Sequence, residues 1–252
     1  MRLILLLFLS VQLFSQTKKL DTVFCDCAQA KVLTINSKTI YGKTIAPKGN
    51  GELKEISPSK QKTTYAFEKE HNSAWYKLVI NVTGELTMHV IPTKADDDYD
   101  FMLFKSAKNN FCDSLQKHKI NPIRACISRD KEELNGKTGL NYKSTNEYVK
   151  HGVGPAYCKS LTVKKGEVYY LVLDNVYEKG DGHTIEFEIA QPVLFKGTVT
   201  DDNNKPIKTD IALTNQKGDT VFVEKTKEDG SYDFIAPLTK NQSYNLNFYN
   251  DS

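Results

Sequence analysis

Apolar and polar residues alternate with a period of two through Tyr76, Leu78, Ile80 and Val82, and again through Leu86, Met88 and Val90. A strand points successive side chains to opposite faces, so this pattern predicts two half-buried strands. Thr83-Gly84 between them is a turn signal, and the pair reads as a β-hairpin. Residues 99–104 form a third, densely apolar strand, and 168–173 are apolar on both faces, as expected of a central strand. At 184–189, Ile185, Phe187 and Ile189 face inward while Glu186 and Glu188 face outward. Residues 105–160 are more polar and read as a long insertion, with short helical turns at 113–119 and 130–134. After Gln191-Pro192 a second block predicts five short strands, at 194–200, 209–214, 219–225, 231–235 and 243–249. Asp202-Asn203-Asn204, Lys217-Gly218 and Asp229-Gly230 punctuate them. Strands spaced this closely by turns indicate sandwiches, so the expected fold is all-β, two antiparallel sandwiches in series.

The first 15 residues break the pattern. Arg2 precedes an apolar run from Leu3 to Leu9, and a short mixed tail ends at Ser15. That layout reads as a signal peptide over 1–15 and places the mature chain in an oxidising, exported compartment. The run is interrupted by Gln12 and Gln16, short of the roughly 20 apolar residues a membrane-spanning helix needs. No transmembrane helix is therefore expected in the mature chain. Thirteen Tyr and twelve Phe favour strands, and a net charge of +3 is too small for a nucleic-acid binder.

Five cysteines, Cys25, Cys27, Cys112, Cys126 and Cys158, are disulfide candidates, and their odd number leaves at least one unpaired within the chain. Cys25 and Cys27 are too close in sequence to bond each other without strain. The acidic loop Asp96, Asp97, Asp98 and Asp100 is the sharpest local feature. Calcium takes six to eight oxygen ligands, so Asp96, Asp98 and Asp100 form a candidate calcium site, set against the alternative of a solvated loop. Arg124 and Arg129 stand out in a chain that otherwise uses Lys. A planar guanidinium suits a bidentate carboxylate partner, either on an acidic ligand or in a structural pair. Trp75 reads as a core aromatic rather than a sugar platform, and His183, in Gly-Asp-Gly-His, as a loop residue. There is no Gly-x-Ser-x-Gly elbow, no His-Glu-x-x-His and no Ser-x-x-Lys motif, and the chain is not expected to be an enzyme.

Glu68-Lys-Glu-His-Asn-Ser-Ala-Trp-Tyr76, Asp96-Asp-Asp-Tyr-Asp-Phe101, Thr138-Gly-Leu140 and Gly166-Glu-Val-Tyr-Tyr-Leu-Val-Leu-Asp-Asn-Val176 together resemble the pre-peptidase-like (CUB-like) β-sandwich of Bacteroidetes OmpA-family envelope proteins. Phe195-Lys-Gly-Thr-Val-Thr200, Lys205-Pro206 and Glu228-Asp-Gly-Ser-Tyr-Asp-Phe234 resemble a carboxypeptidase regulatory-like domain. The resemblance implies a CUB or jelly-roll-like sandwich over 16–190 and a transthyretin-like Greek key over 191–252. It adds Asp174 and Asn175 as second-loop calcium ligands. The second domain is expected to lack an edge strand, leaving backbone groups unpaired. The function implied is non-catalytic binding or scaffolding in the envelope, as the display half of an OmpA-family type protein lacking its peptidoglycan-binding domain, located in the periplasm, at the outer membrane or on the cell surface, with a glycan, a peptide or a neighbouring envelope protein as partner. The alternative is an accessory targeting or regulatory domain of a secreted hydrolase.

Overall fold

The computed structural model describes residues 17–19, 24–42, 44–57, 65, 67, 69–106, 110–117, 120–128, 135–177, 180–239 and 242–249. The expected signal peptide, Arg129 and the helical turn at 130–134 lie outside the described residues.

The fold is all-β, with two large sheets, a small third sheet and one short α-helix. Strands β1 (Thr17–Lys19), β2 (Lys31–Ile35), β3 (Lys38–Gly42), β4 (Asn72–Ile80), β5 (Gly84–Pro92) and β6 (Tyr99–Lys105) precede helix α1 (Phe111–Lys117). Next come β7 (Arg124–Cys126), β8 (Thr138–Asn141), β9 (Tyr148–Val149), β10 (Tyr157–Lys159), β11 (Leu161–Val163), β12 (Val168–Asn175) and β13 (His183–Thr198). The chain ends its regular structure with β14 (Asp210–Asn215), β15 (Thr220–Lys225), β16 (Ser231–Leu238) and β17 (Tyr244–Tyr249).

One sheet runs β2-β4-β12-β6-β7-β9, and the facing sheet runs β1-β3-β13-β5-β8-β10, with β11 added on β5 and β16 on β13. Their centres pair antiparallel, but β1 with β3, β2 with β4, β7 with β9 and β8 with β10 pair parallel. The sheets of the first sandwich are thus mixed, not purely antiparallel as expected. A short strand added at an edge needs only a connection long enough to bring it round in the parallel sense.

The expected hairpin does not form. β4 and β5 lie in different sheets, and the chain crosses from one layer to the other through residues 81–83. Tyr76, Leu78 and Ile80 still meet Leu86, Met88 and Val90, but across the sandwich, in one core cluster. Period-two alternation specifies which face a strand buries and leaves its lateral neighbour open. That is why the strands were predicted correctly and their pairing was not.

β12 and β6 are buried on both faces for a reason visible in their neighbours. Tyr169, Leu171 and Leu173, with Phe101 and Leu103, enter the cluster between the sheets. Tyr170 and Val172, with Met102 and Phe104, enter a second cluster on the opposite face of the sheet. Trp75, Ile56, Phe67, Phe111 and Leu115 complete that second cluster. A disulfide between Cys27 and Cys112 ties the short 3-10 turn Cys27–Gln29 to α1 above it. Trp75 is fully buried and stacks with Phe104 at 6.4 Å, as a core aromatic should.

Residues 105–160 are not an appendage to the sandwich. They supply β7 and β9 to one sheet and β8 and β10 to the other. These strands are two to four residues long, too short for a period to show in sequence. Gly139 marks how closely they pack. It has φ 145°, and a Cβ there would lie 1.9 Å from the Met88 carbonyl oxygen of β5.

β13 runs for 16 residues straight through Gln191-Pro192. Before that point it pairs with β3 and β5, and from Gln191 onward with β16. The 191–249 region closes a small core of Ile211, Leu213, Phe234 and Ala236 between the β13–β16 ribbon and the β15-β14-β17 sheet. Phe195 and Phe222 each stack with Phe234, both at 5.2 Å.

Candidate functional site

The acidic residues singled out from sequence converge on one end of the first sandwich, where β6 begins and β12 ends. Strand register explains the convergence. Asp174 lies opposite Asp100 on one side and Ser73 on the other, and Asn175 lies opposite Tyr99 and Asn72.

Asp174 is completely buried, and the segment entering β4 occupies its carboxylate. Oδ1 accepts the backbone N–H groups of His71 and Asn72 at 2.8 and 2.9 Å. Oδ2 lies 2.7 Å from His71 Nδ1. Burial pushes the Asp174 carboxyl above its ordinary range, and these donors act against that rise. Asn175 Oδ1 accepts the Tyr177 N–H at 3.0 Å, while its backbone carbonyl accepts from Asn72 Nδ2. Asn72 Oδ1 in turn accepts the Gly49 N–H. Asp174, Asn175 and Asn72 therefore stitch three segments together around a buried carboxyl group.

The remaining acids are arranged around this latch. Asp100 is pushed well above its ordinary range by burial, then by the neighbouring Asp98 and Asp174 charges and by Cys126. Asp98 is half-buried, Asp96 is exposed, and Asp97 is buried with Oδ2 lacking a hydrogen-bond partner among the described residues. Gly180 makes room there, since a Cβ on it would fall 2.3 Å from Asn175 Nδ2 and 3.0 Å from Asp97 Oδ2. Glu70, only 4% exposed, accepts the Ile56 N–H through Oε1. Its Oε2 has no hydrogen-bond partner among the described residues. Burial, followed by Glu55 and Asp174, pushes its carboxyl up to about 8. At neutral pH this end of the molecule therefore carries fewer negative charges than its sequence suggests.

That geometry bears on the calcium expectation. Among the described residues no group of three or more His, Cys, Asp or Glu side chains is placed to hold a metal ion. Asp174 spends both oxygens on His71 and Asn72, and Asn175 spends its side-chain oxygen on Tyr177. Asp96, Asp98, Asp100, Asp174 and Asn175 thus share one end of the fold without converging as a ligand set.

For Arg124 the structural alternative holds and the acidic-ligand alternative does not. Its side chain is buried and faces the protein's own carbonyls. Nε donates to Lys159 O at 2.9 Å, Nη1 to Ile123 O at 2.7 Å and Nη2 to Ser160 O at 2.9 Å. Glu147 adds an ion pair at 3.3 Å. A guanidinium whose donors are committed in this way braces β7 against the β10–β11 segment and is not presented to an acidic ligand.

His183 was expected in a loop and is instead a core residue, fully buried at the start of β13. Its Nε2 lies 2.8 Å from Tyr76 Oη and its Nδ1 3.2 Å from Tyr99 Oη, so the ring bridges the two sheets. Burial lowers its pKa from 6.5 to about 3, so the ring is neutral and one nitrogen donates while the other accepts. The sequence did carry a signal. His183 is in phase with Ile185, Phe187 and Ile189, the inward positions of the same strand.

No protein-family model matches the chain, and no curated relative matches it. Among solved structures, a surface-associated copper-binding protein, CorA, from Methylomicrobium album BG8 is similar at 10% identity, with a TM-score of 0.34, covering 65% of this chain and 98% of that one. The extracellular region of zebrafish Gpr126/Adgrg6 is similar at 9% identity and a TM-score of 0.24, covering 86% of this chain and 26% of that one. A family 2 glycosyl hydrolase from Bacteroides cellulosilyticus DSM 14838 is similar at 10% identity and a TM-score of 0.20, covering 70% of this chain and 23% of that one. Likeness at this level assigns neither a family nor a function.

Proposed function

We propose that this chain is a non-catalytic binding or scaffolding protein of the cell envelope, engaging a neighbouring envelope protein through the β13–β16 ribbon. The observation that carries this reading is the ribbon itself. Among the described residues, β16 pairs only with β13, and residues 191–198 of β13 pair only with β16. Both long edges of the ribbon are therefore unpaired among the described residues, and an open edge is a template for a strand from another chain. Its outer face also carries an apolar pair, beside Lys196 and Asp233. Leu194 and Ile235 sit directly opposite each other and are 61% and 60% exposed. Phe195 and Phe234, the next pair, face the small core.

One further observation supports the envelope setting. The Cys27–Cys112 disulfide suits an oxidising compartment. The resemblance of 68–176 and 195–234 to OmpA-family envelope modules points the same way. The test is co-sedimentation of the purified chain with isolated outer membrane and cell wall. Binding that is lost in the Leu194→Lys/Ile235→Lys double variant, with its circular dichroism unchanged, is the expected result. Recovery of the unaltered chain only in the supernatant would overturn the proposal.

A further inference from the structure

Two of the cysteines that are not bonded are neighbours. Cys126 ends β7 in one large sheet, and Cys158 sits in the middle of β10 in the other. They are 32 residues apart in sequence, yet both are buried in the cluster between the sheets. The Cys158 thiol donates to the carbonyl of Ala125, the residue next to Cys126, at 3.2 Å. Ser128 Oγ lies 3.3 Å from Cys126 Sγ, and β10 packs directly against β7. Cys25, by contrast, is half-buried, with its thiol directed at the Lys48 carbonyl.

We propose that Cys126 and Cys158 are the site of a second, inter-sheet disulfide, closed during folding in an oxidising compartment by exchange with a dithiol-disulfide oxidoreductase or a small-molecule disulfide. The chemistry balances. The Cys126 thiolate attacks one sulfur of the incoming disulfide, forming a mixed disulfide and releasing the first thiolate. The Cys158 sulfur then attacks Cys126 Sγ and displaces the second thiolate. Two protein thiols are oxidised, one external disulfide is reduced to two thiols, and the two protons pass to the leaving thiolates. Cys126 is suited to the first step, because the neighbouring Cys158 thiol, with Ser128 adding to it, lowers its pKa despite burial. The neighbouring Cys126 sulfur, followed by burial, raises the pKa of Cys158, as fits the second sulfur to react.

The bond would link the two sheets where only short strands join them, at the margin formed by β7 and β9 on one side and β8 and β10 on the other. This inference rests on the oxidising compartment and not on the ribbon. The test is exhaustive alkylation of the full chain, purified from the periplasm of an expression host and denatured without reductant, followed by peptide mapping. One labelled cysteine, Cys25, with a linked Cys126–Cys158 peptide, is the expected result, and Cys126→Ser should then expose Cys158 to label. Three labelled cysteines beside an intact Cys27–Cys112 link would overturn the inference while leaving the oxidising compartment standing. Five labelled cysteines would overturn both.

Discussion

At the scale of single residues, the buried ionisable groups make the molecule's response to pH specific. The folded-state pKa of His183 is about 3 against an ordinary 6.5, so between these values the unfolded chain binds a proton that the folded chain does not. Its contribution to stability is present above pH 6.5 and is lost as pH falls towards 3. Glu70 acts in the opposite sense. With its pKa raised from 4.5 to about 8, its contribution is complete below pH 4.5 and is lost as pH rises through 8. Denaturant midpoints measured across this range should therefore decline on both sides. His183→Gln should flatten the acid limb and Glu70→Gln the alkaline limb. Unchanged slopes in both variants would refute these assignments. The acidic loop was conspicuous in sequence because four Asp in five positions are unusual. His183 was not, because a Gly-Asp-Gly turn directly before it masked its phase with the inward residues of the strand. Which acids lose their charge depends on burial and on neighbours brought in from other strands, and neither is written locally.

At the scale of elements, the strands were legible and their partners were not. β6 and β12 could be read from dense apolar runs because they pack against a core on each face. The β4–β5 pairing was misread because a turn signal does not distinguish a hairpin from a crossing between layers. The short strands β7 to β10 left no pattern at all, and their placement depends on long-range braces such as Arg124. Arg124→Lys keeps the charge but cannot serve three carbonyls from one plane. It should cost about 1–3 kcal/mol in denaturant unfolding, through buried carbonyls left without donors. A change below about 0.5 kcal/mol would show that the brace is dispensable. The Cys27–Cys112 bridge closes a long loop, with a sequence separation of 85. Replacing both cysteines with serine should lower stability by about 2–5 kcal/mol, and an unchanged melting temperature would contradict that role.

At the scale of the whole molecule, one strand joins two regions of different character. The first sandwich encloses a large core, and its open end is stitched by Asp174, Asn175 and Asn72. The 191–249 region has a small core and, among the described residues, a ribbon with unpaired edges. Composition and turn spacing made the all-β class readable. They could not reveal that β13 would run unbroken across the point where the pattern changed, because Gln191-Pro192 resembles a linker in sequence. Pro192 is tolerated within β13 because a ribbon edge asks for fewer backbone donors than the middle of a sheet.

The central claim is that this ribbon is the surface through which the protein engages the envelope. Amide hydrogen exchange, with and without isolated outer-membrane and cell-wall fragments, tests it most directly. The account predicts that residues 191–198 and 231–238 become protected on binding while β4, β6 and β12 remain unchanged. Binding that leaves the ribbon amides exchanging as before, with protection confined to the acidic end of the first sandwich, would contradict it.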